Sequence, residues 1–128
     1  MRVLLDTHSL VWAISSPKLL SARAASVIAD ESYVILVSAA SAWEIATKVR
    51  LGKFTEAAKL EARFLDALDD AGYRLLSITP EIALRAGRLV GSHGDPFDRI
   101  IAAHALAEDI PVVSADAELD VFKVRRIW

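Results

Sequence analysis

Short apolar runs alternate along the chain with longer segments whose apolar residues recur at helical spacing. Runs of four to six apolar residues are too short for helices and are typical of strands buried in a sheet. We predict strands at Arg2–Leu5, Tyr33–Val37, Arg74–Ile78, Ile110–Val113 and, from a weaker pattern, Lys123–Trp128. We predict helices between them at Ser21–Asp30, Ala39–Leu51, Ala57–Ala71, Glu81–Val90 and Phe97–Glu108.

Residues that favour helix ends mark several of these boundaries. Gly72 follows the third predicted helix and suits the left-handed position that ends a helix. Thr79-Pro80 and Asp95-Pro96 each form the pair expected at a helix start, a capping side chain followed by proline. Strands that alternate with helices indicate βα units, so we predict a three-layer α/β/α sandwich with a mainly parallel central sheet. No linker or repeat interrupts the pattern, and residues 1–128 are expected to form one domain.

Composition narrows the classes of protein that this chain can belong to. Hydrophobic residues make up 54% of the 128 positions, which excludes a disordered chain. No apolar stretch reaches the roughly 18 residues that a membrane span needs, and Met1 leads directly into a strand without a signal-peptide pattern. Because cysteine is absent, thiolate metal sites and disulfides are excluded. We expect a cytoplasmic protein that does not enter membranes.

The net charge of −2 gives no sign of a basic surface for nucleic acid. Proteins that bind phosphate backbones usually carry an excess of lysine and arginine. The high apolar fraction of so small a chain also predicts that part of its surface is covered by another subunit.

Four acidic residues follow strands or begin helices and should therefore meet at one edge of the sheet. In a parallel α/β sheet, strand ends and helix starts share the edge at which ligands bind. The residues placed there are Asp6, Glu44, Asp98 and Asp116. Other acidic residues precede strands and belong to the opposite edge, namely Asp30, Glu31, Asp69, Asp70 and Asp109.

Each of these four carboxylates has an ordinary structural explanation when it is taken alone. Asp98 could complement a helix dipole, Glu44 could pair with Lys48 one turn later, and Asp6 and Asp116 could cap or turn the chain. Together they would repel one another by roughly 4 kcal/mol for each pair about 4 Å apart near a protein surface. A cation or protons must offset that cost, and an all-oxygen ligand set suits Mg²⁺ or Mn²⁺ better than Zn²⁺.

Neighbouring polar residues are candidates to support this site. Thr7 and Ser114 each place a hydroxyl next to a carboxylate in the sequence, where it could hold a metal-bound water. His93 is close enough to Asp98 to line the cleft, whereas Asp95 fits the helix cap better than a ligand position. We expect Glu81, His104 and Asp120 to be structural, and the three histidines His8, His93 and His104 are not spaced like a set of metal ligands.

Five sequence blocks in this order resemble the PIN-domain nucleases, and within them the VapC-like toxins of type II toxin–antitoxin systems. The resemblance covers essentially the whole chain. The blocks are Asp6-Thr7-His8 followed by Leu10-Val11-Trp12, Ser38–Ile45 with Lys48, His93–Arg99 before Ala102-Ala103, Ser114-Ala115-Asp116, and Val124–Trp128. Ser114 stands where the family more often has threonine, which keeps the hydroxyl.

The resemblance implies a PIN-like fold and a Mg²⁺-dependent endoribonuclease, with Mn²⁺ as a possible substitute. It also implies growth inhibition, a homodimer and neutralisation by a small VapB-like antitoxin. Transferred residue by residue, the acidic set of the family falls on Asp6, Glu44, Asp98 and Asp116, the four that topology selects. None of the four is missing.

We expect Asp6 and Asp98 to hold the Mg²⁺ that binds the scissile phosphate, with Glu44 and Asp116 completing its shell. One ion or two ions are both compatible with the sequence. The positive charge of the metal removes the objection raised by the negative net charge. Additional contacts to the RNA backbone could come from basic residues near the active edge, namely Lys48, Arg50, Lys53 and Arg99.

Two other functions remain open from the sequence. The first is a metal-dependent phosphatase-like enzyme with Asp6 as nucleophile, although Thr7 and His8 follow where a second aspartate is usual. The second is a non-catalytic interaction module on the same fold. For the antitoxin, we predict an apolar groove on the helical pair Ala39–Leu51 and Ala57–Ala71, where an antitoxin helix docks and carries a basic side chain into the carboxylate cluster. The residues assigned to the groove are Trp43, Leu51, Phe54, Leu60 and Phe64.

Overall fold

All five strands of the central sheet run parallel. The computed structural model describes all 128 residues of the chain. The strands are β1 (Arg2–Leu5), β2 (Val34–Ser38), β3 (Arg74–Leu76), β4 (Val112–Val113) and β5 (Arg126–Ile127). Their order across the sheet is β3-β2-β1-β4-β5, so the first strand lies at the centre and the chain winds outwards in both directions. The predicted sheet is confirmed, with shorter strands at positions 74–78, 110–113 and 123–128.

Helices connect the strands and cover both faces of the sheet. They are α1 (Thr7–Ser15), α2 (Ala22–Ala29), α3 (Ala39–Arg50), α4 (Ala58–Ala62), α5 (Phe64–Ala71), α6 (Pro80–Arg88) and α7 (Pro96–Glu108). Short 3₁₀ turns occupy Pro17–Leu19, Thr55–Ala57 and Ala117–Phe122. The three-layer α/β/α architecture that the sequence predicts is therefore confirmed.

The side chains of β1 show how the sheet divides two hydrophobic cores. Val3 and Leu5 point to one face, where they join a cluster that includes residues of α1, α3 and α5. Leu4 points to the other face, against α7 and the turn at Ala117–Phe122. Because both faces of this strand are buried after Arg2, the residues Val3–Leu5 are all apolar instead of alternating between apolar and polar.

The predicted helix at Ala57–Ala71 is wrong as a single element. The chain breaks at Arg63, whose backbone leaves the helical region (φ −138°, ψ 40°). Its first part, α4, contacts α1 and α3, whereas its second part, α5, contacts β3. The two halves therefore bury their apolar residues in the same core while contacting different elements of the fold.

The predicted helix boundaries at Gly72, Thr79 and Asp95 are confirmed. Gly72 has a positive φ of 75° after the last residue of α5, a conformation that strains any residue with a Cβ. The Thr79 hydroxyl accepts the Ile82 N–H, and the Asp95 carboxylate accepts two N–H groups of the first turn of α7. None of the helices combines the length and the apolar character that crossing a membrane requires.

The predicted apolar groove is only partly present. Phe54 and Leu60 are both buried in the core beneath α3, and Phe64 packs against the same core. Phe54 and Leu60 are therefore not available to a partner, whereas Phe64 is partly exposed. Trp43 and Leu51 remain exposed, with 53% and 51% of their surfaces accessible.

Candidate metal centre

The strand register brings the ends of the three central strands to the same level. Leu5 at the end of β1 lies opposite Val37 of β2 and Val113 of β4. The next residues along these strands, Asp6, Ser38 and Ser114, therefore stand side by side at the carboxyl edge of the sheet. The helices α1 and α3 begin directly from this edge.

A polar cleft of about 220 Å³ opens at this edge. We call it the acidic cleft and define it by its ten lining residues, none of which is hydrophobic: Asp6, Thr7, His8, Glu44, Lys48, His93, Asp95, Asp98, Asp116 and Glu118. The four carboxylates selected from the sequence all belong to it. Six of the lining side chains are acidic and one is a lysine, so the cleft favours a cation.

Asp6 is fixed in place by its own helix and by β4. One carboxylate oxygen accepts the Ser9 N–H at 2.9 Å, which caps α1, and the other accepts the Ser114 hydroxyl. Only 6% of Asp6 is exposed, and this burial raises its pKa although the two hydrogen bonds act in the opposite direction. Burial therefore makes the charged form of Asp6 costly without a nearby cation.

Glu44 is equally well held in the same cleft. The Thr7 hydroxyl donates to one carboxylate oxygen, and Lys48, one helical turn later, donates to the other. The Thr7 hydroxyl is also paired with the Ser41 hydroxyl at 3.0 Å. The i, i+4 pair of Glu44 and Lys48 that the sequence allowed is therefore present inside the cleft.

Asp98, His93 and Glu118 form a chain of contacts on the outer side of the cleft. The Nε2 atom of His93 lies 2.8 Å from one oxygen of Asp98, and its Nδ1 atom lies 3.2 Å from an oxygen of Glu118. The hydrogen bond to Asp98 raises the pKa of His93. One ring nitrogen of His93 and one oxygen each of Asp98 and Asp116 lie within 4.8 Å of one another.

The Ser114 hydroxyl links the Asp6 carboxylate to the backbone of Asp116. It donates to Asp6 and accepts the Asp116 N–H at 3.0 Å. Asp116 in turn caps the 3₁₀ turn at Ala117–Phe122 by accepting the Glu118 N–H at 2.9 Å. Ser114 and Thr7 are both buried, and their hydroxyls donate to carboxylates of the cleft. Their role in holding a metal-bound water stays a prediction.

Burial and the neighbouring negative charges of the cleft both act on the pKa of Asp98. Burial raises its pKa to about 6, the negative charges of Asp95, Glu44 and Asp6 act in the same direction, and the hydrogen bond from His93 opposes them. A second positive charge in the cleft would relieve this cost, because it favours the ionised form of a carboxyl group.

The donor atoms of the cleft fit a divalent cation. The tightest group, at His93, Asp98 and Asp116, offers two oxygens and one nitrogen within a span that a single ion can bridge. Asp6 and Glu44 stand in the same cleft with their oxygens already hydrogen-bonded. The sequence-based choice of Asp6 and Asp98 as the primary pair therefore differs from the closest grouping, which includes His93.

Arg99, which the sequence placed among possible RNA contacts, forms hydrogen bonds within the protein instead. Its guanidinium donates to the backbone carbonyls of Ala86, Leu89 and His93 and lies 5.3 Å from the ring centroid of Phe122. It therefore holds the loop between α6 and α7, which carries His93, and each of its three nitrogens donates to a backbone carbonyl. Among the other basic candidates, Lys48 pairs with Glu44, while Arg50 and Lys53 are exposed near the end of α3.

Sequence reasoning missed Glu118 and set His8 aside, yet both line the cleft. His8 is exposed at the start of α1, where its ring stacks on Phe54 at a centroid distance of 4.9 Å. Glu118 lies two residues after Asp116 in a short turn, a spacing that could have drawn attention to it. The other residues that the sequence treated as structural lie elsewhere: Asp120 pairs with Arg126, and His104 is buried in α7 against the Ser77 carbonyl.

Comparison with known proteins identifies related folds. The family model described as the PIN domain matches residues 3–124. The crystal structure of VapBC2 from Rickettsia felis, bound to a DNA fragment from its promoter, contains a chain that is 20% identical, with a TM-score of 0.65 over 98% of this chain and 97% of that one.

Two further structures share this fold. FitAcB from Neisseria gonorrhoeae contains a chain with 20% identity and a TM-score of 0.62 over 97% of this chain and 95% of that one. FitAB bound to an IR36 DNA fragment gives the same identity and TM-score over 97% and 92%. No curated protein sequence matches the chain.

Proposed function

Because the chain belongs to the PIN domain family, we propose that it is a divalent-metal-dependent endoribonuclease and the toxin of a type II toxin–antitoxin module. The proposal assigns hydrolysis of RNA phosphodiester bonds to the acidic cleft, with residues 1–128 acting as one nuclease domain. Asp6, Glu44, Asp98 and Asp116 are its proposed catalytic residues, and Mg²⁺ or Mn²⁺ its cofactor.

One observation carries the proposal. The four carboxylates come from four separate segments of the chain, and all four line the same cleft at the carboxyl edge of the sheet. Packing alone gives no reason to collect six acidic side chains around a space with no hydrophobic lining, because like charges repel. A bound cation stabilises such a cluster of carboxylates, and the same cation can bind a phosphate oxygen of the substrate. A metal-dependent nuclease needs both the bound cation and its contact with the phosphate.

In this reaction the protein binds and orients the groups that react. Asp98, Asp116 and His93 are the residues closest to one another that can hold the cation, with Asp6 and Glu44 on the inner wall. A divalent cation there supplies Lewis acidity and neutralises charge at the scissile phosphate. The hydrogen bonds from Ser9 and Ser114 to Asp6, and those from Thr7 and Lys48 to Glu44, keep these carboxylates in fixed positions.

Two exposed basic side chains lie outside the cleft, at the end of α3 that is far from the carboxyl edge of the sheet. Arg50 is the last residue of α3 and Lys53 follows three residues later; both side chains are exposed, and neither forms a salt bridge. We propose that they contact the RNA backbone at a distance from the reacting phosphate. Lys48 reaches the cleft itself, where it is bound to Glu44, so its contribution there is to position that carboxylate.

The phosphatase-like alternative finds less support in the geometry. A nucleophilic Asp6 would need an oxygen directed at the phosphorus atom, but both oxygens accept hydrogen bonds and 6% of the residue is exposed. The non-catalytic alternative does not account for the concentration of negative charge in the cleft.

A comparison of substrates tests the proposal. We expect the purified protein with Mg²⁺ to cleave a structured RNA internally and to leave a small phosphomonoester, p-nitrophenyl phosphate, intact. Fragments are resolved on a denaturing gel, with the Asp98→Asn variant purified in parallel to exclude contaminating ribonuclease. Release of p-nitrophenol without RNA cleavage would instead establish the phosphatase-like function.

We further propose two protein partners, a second copy of the chain and a small VapB-like antitoxin. The solved structures of similar fold are toxin–antitoxin assemblies by their names, and this supports an antitoxin for the present chain. Exposed apolar side chains, among them Trp43, Leu65 and Leu84, supply surface for both partners.

A further inference from the structure

His93 occupies a position that the four-carboxylate description of the site does not explain. Its ring lies between two acidic side chains, with Nε2 at 2.8 Å from Asp98 and Nδ1 at 3.2 Å from Glu118. The side chain is 14% exposed, so the ring is held within the wall of the cleft and is not free in solvent. Arg99 fixes the backbone beneath it by donating to the His93 carbonyl at 2.8 Å.

The two ring nitrogens of His93 have different surroundings. The Nε2 side faces Asp98, and one ring nitrogen belongs to the group with Asp98 and Asp116 whose donor atoms all lie within 4.8 Å. The Nδ1 side faces Glu118, whose side chain is 70% exposed at the rim. Histidines that bind metals commonly present one nitrogen to the ion while a carboxylate accepts a hydrogen bond from the other.

We propose that His93 is a nitrogen ligand of the metal centre through Nε2, that Glu118 orients its ring through Nδ1, and that the centre therefore prefers Mn²⁺ to Mg²⁺. This inference deepens the proposed function, because it concerns the ion held in the same cleft. Mg²⁺ is a hard cation that favours oxygen donors, whereas an imidazole nitrogen is a good ligand for first-row transition metals. With His93, Asp98 and Asp116 as ligands, the protein supplies a mixed nitrogen and oxygen set.

Mn²⁺ itself is the probe that tests this proposal, because it is paramagnetic and reports its ligands directly. We expect electron spin echo modulation spectra of bound Mn²⁺ to contain the ¹⁴N signal of one imidazole. The His93→Gln variant is expected to lose that signal. The matched control is His8→Gln, which removes a histidine that lines the same cleft but lies outside the group of ligand atoms; it should keep the signal.

Affinities give a second readout. Titration of Mn²⁺, followed by the loss of the free-ion resonance and competed with Mg²⁺, should show that the wild-type protein binds Mn²⁺ more tightly. His93→Gln should bring the two affinities closer together. Glu118→Gln should weaken Mn²⁺ binding about 10- to 100-fold while keeping the nitrogen signal, as expected for the loss of a carboxylate that orients a ligand. Thermal unfolding by circular dichroism verifies that each variant is folded.

The possible outcomes separate this inference from the proposed function. Bound Mn²⁺ without a nitrogen signal, or with the same signal in His93→Gln, overturns the inference even if RNA is cleaved. A nitrogen signal that depends on His93 supports the inference even if RNA is not cleaved, in which case the proposed substrate is wrong. Failure of the wild-type protein to bind Mn²⁺ at millimolar concentration overturns the inference and the proposed metal dependence together.

Discussion

The Asp98→Asn variant is expected to lose RNA cleavage by more than about 100-fold, because even the outer partners of metal ligands contribute about 10- to 100-fold. Asp98 lies in the group with His93 and Asp116 and is the carboxylate whose pKa the cleft perturbs to about 6. Asparagine keeps the shape of the side chain but removes the charge that a cation needs. The single-turnover rate on a structured RNA measures the effect.

The same variant should fold at least as stably as the wild-type protein in metal-free buffer. The pKa of Asp98 is raised from 3.8 to about 6, so between these values the folded state binds more protons than the unfolded state. Wild-type stability should therefore fall as the pH rises through this window. Asp98→Asn has no carboxyl group at this position and so does not lose this stability. Its free energy of unfolding in urea should exceed that of the wild-type protein by more at pH 8 than at pH 4.5.

Asp95→Asn is the matched control, since it makes the same replacement three residues earlier in the same cleft. Asparagine can still accept the Phe97 and Asp98 N–H groups and so retain the cap of α7. We expect this variant to keep most of the cleavage activity. Equal loss of activity in both variants would show that the cleft responds to charge in general and that Asp98 has no special role.

Asp6→Asn should also lose RNA cleavage, but its effect is harder to interpret because the replacement alters hydrogen bonds as well as charge. Its amide group would face the Ser114 hydroxyl, which donates to Asp6 while accepting the Asp116 N–H. The replacement therefore disturbs the hydrogen bonds of β4 as well as the charge. We expect its stability to depend on which of the two effects is larger.

Binding of the antitoxin is expected to reduce cleavage by more than about 100-fold and to weaken Mg²⁺ binding. An arginine from the antitoxin can pair bidentately with carboxylates of the cleft and take the place of the cation. Co-expression with the small open reading frame next to the gene, followed by size-exclusion chromatography and Mg²⁺ titration, measures both effects. A complex that binds Mg²⁺ as tightly as the free protein would contradict this mode of inhibition.

Trp43 is the best candidate for an anchor of the antitoxin. It is exposed in α3 next to Glu44, and its ring packs edge-on against Phe97 at 4.5 Å between centroids. Aromatic anchors of this type typically contribute about 2 kcal/mol or more, so Trp43→Lys should weaken the complex by roughly 30-fold or more. Val90→Lys, which alters an apolar side chain that is 92% exposed in the loop after α6, should have little effect on antitoxin binding.

The positions of the acidic residues could be predicted because they depend on topology and not on detailed packing. Once strands and helices alternate, any residue that follows a parallel strand or begins the next helix lies at the same edge. Asp6 and Asp116 follow strands, and Glu44 and Asp98 lie early in helices, so errors of one or two residues in the boundaries did not move them to the other edge. The shortened strands β3, β4 and β5 had no effect on this prediction.

The roles of His93, Glu118 and Arg99 depend on contacts that no sequence pattern specifies. His93 lies in a loop and Glu118 in a short turn, and their approach to 3.2 Å is produced by the packing of α7 against that turn. Arg99 binds three backbone carbonyls, and such acceptors are present at every residue, so the sequence gives no sign of which ones it will reach. Because the sequence did not show these internal acceptors, the position of Arg99 near the active edge suggested a contact with the substrate instead.

The break between α4 and α5 and the loss of the predicted groove have one common cause. Leu60 and Leu68 are spaced as on one continuous helix face, but the two halves pack against different elements of the fold. Periodicity shows that a side chain is buried and does not show against which partner. Phe54 and Leu60 therefore looked like excess apolar surface from the sequence, although both complete the core.

The rate of RNA cleavage through one cycle of metal removal and return tests the central claim most directly. The wild-type protein and Asp98→Asn, purified in parallel, are assayed on the same structured RNA with Mg²⁺, after excess EDTA, and after Mg²⁺ is restored above the EDTA concentration. We predict that wild-type cleavage stops in EDTA and returns with Mg²⁺, and that the variant does not cleave under any of the three conditions. Wild-type cleavage that persists in EDTA, or a variant as active as the wild type, would contradict the assignment of a metal-dependent nuclease to this cleft.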